Sequence, residues 1–145
     1  MNILNNKFLC VPFFVWLAIQ IVKFITDWIV NRKPNFRRLV GAGGMPSSHS
    51  AVVATLTTLI GQEYGIESGI FAMSCVFSAI VMYDAAGVRR AAGKQATLLN
   101  KLVENAANSG IVVSEKLVEV LGHTPLQVLV GAVIGIAVGL IYGMF

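Results

Sequence analysis

The sequence predicts an all-α integral membrane helical bundle, with about four spans plus one or two amphipathic helices, forming a single domain over residues 1–145. Three observations carry this reading. The chain of 145 residues is 56% hydrophobic and only 12% charged, against roughly 25% charged residues in a soluble domain. Its mean hydropathy is +0.75. Several apolar runs approach the roughly 20 residues that cross a bilayer. The length suits one domain and is short for two.

The first span is expected over about 8–30. One lysine precedes its apolar run and no small-x-small cleavage site follows, so it reads as retained. Lys23 and Asp27 lie four apart on one helix face and can pair. Lys23 either snorkels beside this counter-ion or points into the bundle toward an anion. A basic loop follows with Arg32, Lys33, Arg37 and Arg38. The second span, about 50–60 with an extension to Tyr64, is short. Gln62, Glu63 and Glu67 form an acidic turn, and a third span covers about 70–87.

Beyond it, Ala96, Leu99, Leu102, Val103 and Ala106 recur at helical spacing with Asn100, Lys101, Glu104 and Asn105 between them. That pattern is an amphipathic helix on the membrane surface or against the bundle. A short helix is expected over 114–121, and the last span over about 127–145. Gly131, Gly135, Gly139 and Gly143 place a small residue at every fourth position of that span. Such a ridge permits close helix packing, either within one chain or between the copies of a homodimer.

The formal charge of +4 does not indicate nucleic acid, because the bases fall in two loops between apolar runs. Four lie after the first span, and Arg89, Arg90, Lys94, Lys101 and Lys116 lie after the third. These nine of eleven share one side, which the positive-inside rule makes cytoplasmic. Cys10 and Cys75 sit inside apolar runs and read as small hydrophobes without metal spacing.

Two polar motifs interrupt this apolar background. Gly43-Gly44-Met45-Pro46-Ser47-Ser48-His49-Ser50 joins a tight bend to hydroxyls, a histidine and free N–H groups at a helix start. That is the general chemistry of a phosphate cradle. In Gly122-His123-Thr124-Pro125-Leu126-Gln127, Thr124, Pro125 and Gln127 form an N-terminal capping box, which leaves His123 unexplained. The four-span topology brings His49 and His123, the two histidines of the chain, to one membrane face. With lysines and arginines nearby, the pair suits phosphoryl transfer, in which positioning and charge stabilisation do most of the work. One neutral histidine can attack phosphorus while the other protonates the leaving oxygen. No acidic ligand cluster calls for a metal, and no cofactor is expected.

Pro46-Ser47-Ser48-His49 resembles the Pro-Ser-Gly-His motif of the type 2 phosphatidic acid phosphatase (PAP2) superfamily. The stretch from His123 to Gly131 resembles its last motif, His-x-Pro-x-Asp-Val-x-x-Gly. Nearly the whole chain, including Tyr83-Asp84-Ala85-Ala86-Gly87-Val88-Arg89-Arg90, resembles the divergent membrane branch of that superfamily. The resemblance implies His123 as nucleophile and His49 as general acid. It also implies a phosphate held by Ser47, Ser48 and backbone N–H groups, with a loose match for Lys23. Two positions depart from the pattern: the family aspartate is Gln127 here, and the family arginine is Leu117, with Lys116 beside it. Arg89 and Arg90 are expected to replace the positive charge, and Asp84 or Glu119 the carboxylate. Asp84 and Arg89 can instead simply pair with each other.

The leading expectation is a membrane hydrolase that removes phosphate from a lipid phosphate or diphosphate, set in a bacterial plasma membrane with its motif loops cytoplasmic. A degenerate PAP2-like protein that binds lipid or phosphate without turnover is the alternative. A purely structural subunit assembled through the glycine ridge is the third reading.

Overall fold

The computed structural model describes residues 5–34, 36, 44–107, 117 and 122–144. Five helices follow in order: α1 Lys7–Asn31, α2 Ser48–Tyr64, α3 Gly69–Ala86, α4 Val88–Ala107 and α5 Pro125–Tyr142. No strand occurs among the described residues. The fold is an all-α membrane bundle. The expected helix over 114–121 lies outside the described residues, apart from Leu117.

The starts of α1, α2, α3 and α5 are written in their side chains. Asn6 caps α1 by accepting from the Phe8 N–H, Ser47 caps α2 by accepting from Ser50, and Ser68 caps α3 by accepting from Phe71. Thr124 and Gln127 form a reciprocal capping box at α5, with Pro125 as the first helical residue. Each satisfies an N–H group that the helix itself leaves orphaned.

Helix α2 is the axis of the bundle, and α1, α3 and α5 surround it. Lys23 of α1 reaches Ser48 at one end of α2, while Lys7 pairs with Glu63 at the other, so α1 and α2 are antiparallel. Thr57 meets Ser78 at 2.8 Å, and Gly61 meets Phe71, which makes α3 antiparallel to α2 as well. Helix α5 runs parallel to it. Gly131 abuts Ser47, Gly135 abuts Ala51, and Gly139 abuts Thr58.

Among the described residues, three helical stretches are long and apolar enough to cross a membrane: Lys7–Asn31, Gly69–Asn105 and Pro125–Tyr142. Helix α2, expected as a fourth span, is not among them. It is 17 residues long and carries Ser48, Ser50, Thr55, Thr57 and Thr58. Sheathed by its neighbours, it has little lipid to face and can be polar. Its hydroxyls are satisfied inside the bundle: Thr55 Oγ1 donates toward the carbonyls of Ala51 and Gly135, at 2.8 and 3.0 Å. The apolar side chains face outward instead, as with Phe13, Phe14 and Ile29 of α1 and Val76 and Ile80 of α3. This is the polarity a bilayer imposes, since unsatisfied polar groups in hydrocarbon are costly and lipid tails are not.

The glycine ridge is filled within the chain. A Cβ on Gly135 would lie 2.2 Å from the Ala51 carbonyl oxygen, and one on Gly131 would lie 2.3 Å from that of Ser47. Absence of side chains here lets the α5 backbone touch the α2 backbone. Helix α4 packs Gly93, Ala96 and Asn100 inward and leaves Leu98, Leu99 and Leu102 exposed. The Asn100 amide clasps the backbone of Leu117, donating to its carbonyl at 2.8 Å and accepting from its N–H at 2.9 Å.

Candidate active site

The parallel pairing of α2 and α5 brings both polar motifs to one end of the bundle. The rings of His49 and His123 are 6.3 Å apart between centroids and inclined at 60°. The Ser47 N–H donates to the Gln127 carbonyl at 3.0 Å, so the cap of α2 is tied directly to the first turn of α5. Ser47 and Ser50 are fully buried, and the Ser50 hydroxyl donates to Ser47 Oγ at 2.9 Å.

His123 is held from two sides. Its N–H donates to the Ala85 carbonyl at the end of α3, at 2.8 Å. Before it, Gly122 adopts φ +87°, and a Cβ there would lie 2.4 Å from the Arg90 nitrogen. Only glycine combines that conformation with that approach. The imidazole is 3% exposed, with Nδ1 3.3 Å from Gln127 Oε1. The same Oε1 accepts from the Thr124 N–H at 3.0 Å. A backbone N–H can only donate, so the shared atom is the amide oxygen, and Nδ1 must carry the proton toward it. Nε2 is left with the lone pair.

Burial pushes the His123 pKa below its ordinary value of 6.5, and the Lys23 ammonium and His49 push it the same way; Gln127 and the backbone of Gly44 oppose them. The imidazole is therefore neutral at neutral pH. A histidine held neutral contributes stability above the unfolded pKa, and that contribution is lost as pH falls through the lower folded value. Thermal stability is expected to decline on acidification below about pH 6.5, and less so in His123→Gln. Gln127→Glu keeps the capping box but places a charge beside Nδ1. It is expected to raise the His123 pKa above that of the wild type, as read by titration of the imidazole NMR signal.

Lys23 lies at the end of α1 nearest this cluster, 5% exposed, with Nζ 3.5 Å from Ser48 Oγ. It points inward, as one of its two expected arrangements required. A cavity of about 210 Å³ opens beside it, lined by Thr26, Asp27, Asn31, Gly44 and Met45 among others. Arg89 pairs with Asp84 at 2.6 Å, which is the simpler of the expectations for those two; with Lys23, both act electrostatically on His49. Arg90 is exposed and supplies backbone packing to Gly122. Lys116 and Glu119 lie outside the described residues. No group of three or more His, Cys, Asp or Glu that could hold a metal occurs among the described residues.

The structure thus gathers His49, His123, Ser47, Ser48, Lys23 and Gln127, and sets the Asp84–Arg89 pair at their edge. Sequence reasoning assigned Ala85 no role, and read Gly131 as part of a packing ridge and a family-like motif without its contact to Ser47. It quoted Ser50 and Gly44 without assigning them a role. The φ of +80° at Gly44 explains that glycine.

The family model described as Divergent PAP2 family matches residues 4–138. The chain belongs to the Divergent PAP2 family. The Uncharacterized membrane protein YuiD of Bacillus subtilis (strain 168) is 40% identical over 156 residues, covering 100% of this chain and 99% of the relative. No solved structure matches the chain. As a Divergent PAP2 family member, this is a membrane protein, and the residues of both family-like motifs meet at one end of its bundle.

Proposed function

We propose that this Divergent PAP2 protein is a membrane phosphatase that hydrolyses a lipid phosphate or diphosphate through His123. The observation that carries the proposal is the oriented imidazole of His123 facing His49 beside a buried hydroxyl and lysine cluster. Gln127 Oε1 accepts the hydrogen bond from Nδ1–H and leaves Nε2 as nucleophile. Nε2 attacks phosphorus, forming the N–P bond as the P–O bond to the leaving group breaks. Burial, Arg89 and Lys23 push the His49 pKa below its ordinary value while Asp84 opposes them, so His49 takes up its proton when the anionic phosphate is bound beside it and gives that proton to the leaving oxygen. Water then attacks the phosphohistidine while neutral His49 takes its proton, releasing inorganic phosphate and restoring both rings. Lys23, the Ser48 hydroxyl and the N-terminal N–H groups of α2 stabilise the charge on the equatorial oxygens. Gln127 supplies orientation without charge, and the ammonium of Lys23 acts across the same site.

The positive-inside rule, applied to the basic loops, favours a cytoplasmic site. Purified protein is expected to release phosphate from lipid phosphates and to be inhibited by vanadate, which mimics the five-coordinate transition state. A second reading, a lipid-phosphate binder without turnover, is favoured by the neutral Gln127 at the family aspartate position. It predicts saturable vanadate binding with no phosphate release, and that result would replace the phosphatase reading.

A further inference from the structure

A groove of about 560 Å³ runs along α2 between α3 and α5, within the range of about 300–1,000 Å³ typical of ligand sites. Ala54 and Gly61 form its floor, Cys75, Ala79 and Met82 one wall, and Ile136 part of the other. Both walls belong to helices long and apolar enough to cross a membrane, which would open the groove to hydrocarbon rather than water. Its hydroxyls are already engaged: Thr57 with Ser78 and the Ser74 carbonyl, Ser78 with the Val53 carbonyl, and Thr58 with that of Ala54. Apart from Gln62 at the end away from the histidines, what remains to line it is apolar.

The groove also leads to the histidines. Met82 is one turn from Ala85, whose carbonyl holds the His123 backbone. Ala54 lies five residues from His49, about 8 Å along the helix axis. Within α2 the lining runs from Ala54 to Gln62, eight residues of sequence and roughly 12 Å at helical rise, with Ile66 beyond the helix end, against a hydrocarbon core of roughly 30 Å. We infer that this groove holds one long hydrocarbon chain of the lipid whose phosphate sits between His49 and His123. The inference rests on the phosphate-site reading and adds the chain selectivity of that site: long-chain esters are recognised through the groove, short water-soluble ones through the head group alone.

The test uses the full chain in lipid nanodiscs and a long-chain monoacyl phosphate bearing a photoactivatable diazirine near its chain end. Crosslinks mapped by mass spectrometry are expected on the groove side of α3, between Phe71 and Met82. They are expected to be lost in Ala79→Trp and, from the opposite wall, in Ile136→Trp; Ala79 is exposed and Ile136 is 45% exposed. Phosphate release from the long-chain ester should show a raised KM in both variants, with release from a short-chain ester unchanged. Labelling spread evenly over the outward residues of α1, or unaltered by both tryptophans, would overturn the inference. So would Cys75–Cys75 crosslinking between two copies without lipid label, which would assign the groove to a second chain. Groove labelling in a protein that releases no phosphate supports the groove while removing the phosphatase reading, so the two fail separately.

Discussion

Gly131→Ala is expected to lower phosphate release by about 100-fold while removing no charged or hydrogen-bonding side chain of the site. The added Cβ would sit 2.3 Å from the Ser47 carbonyl oxygen, so backbone must move. Ser47 caps α2 and is bonded to Gln127 through its own N–H. The displacement therefore separates the serine–histidine loop from His123. A misplacement of about 1 Å costs on the order of 10²-fold in rate, and overpacking a tight contact costs about 1–3 kcal/mol of stability. Gly139→Ala is the control, because its Cβ would meet the Thr58 side chain at 2.7 Å far from the histidines. Thermal melting in detergent should fall in both variants, and phosphate release should fall disproportionately in Gly131→Ala. Equal losses of rate for equal losses of stability would show that the contact only holds the bundle together.

His123→Ala is expected to reduce turnover by at least about 10³-fold, the scale of removing a nucleophile whose partners act as a unit. His49→Ala should cost about 10²–10⁴-fold on an alkyl phosphate, as for a general acid. It should cost much less on an aryl phosphate, whose leaving oxygen needs no proton. His123→Ala should be equally damaging to both substrates. Steady-state rates on the two esters separate nucleophile from acid, and reversed sensitivities would exchange the roles of the two rings.

Much of this arrangement is legible in the residues. The apolar runs over α1, α3 and α5 announce spans, and Asn, Ser and Thr caps mark helix starts. Matching histidines at two helix entries indicate a common end. Helix α2 escapes the same logic. A helix mostly wrapped by others needs little lipid-facing surface, so its hydropathy is low where its burial is greatest, and Thr55 and Ser50 are core residues. The glycines of α5 announce close packing but not its partner, because a bare ridge fits any small-residue surface; the three-dimensional contact with Ser47 and Ala51 supplies the answer. Gln127 looks in sequence like the loss of a functional carboxylate. In space its oxygen serves the helix cap and Nδ1 of His123 at once, which preserves orientation without the charge. The anchoring of His123 by the Ala85 carbonyl is invisible in sequence, since every residue has a carbonyl.

The most direct measurement is an acid-quench experiment that seeks phosphohistidine on His123 during turnover of a long-chain lipid phosphate. In the wild type and in His49→Gln, where hydrolysis of the intermediate loses its base, mass spectrometry is expected to place phosphate on His123, with greater accumulation in the variant. Phosphate release that proceeds without label on His123 and survives His123→Ala would contradict the account.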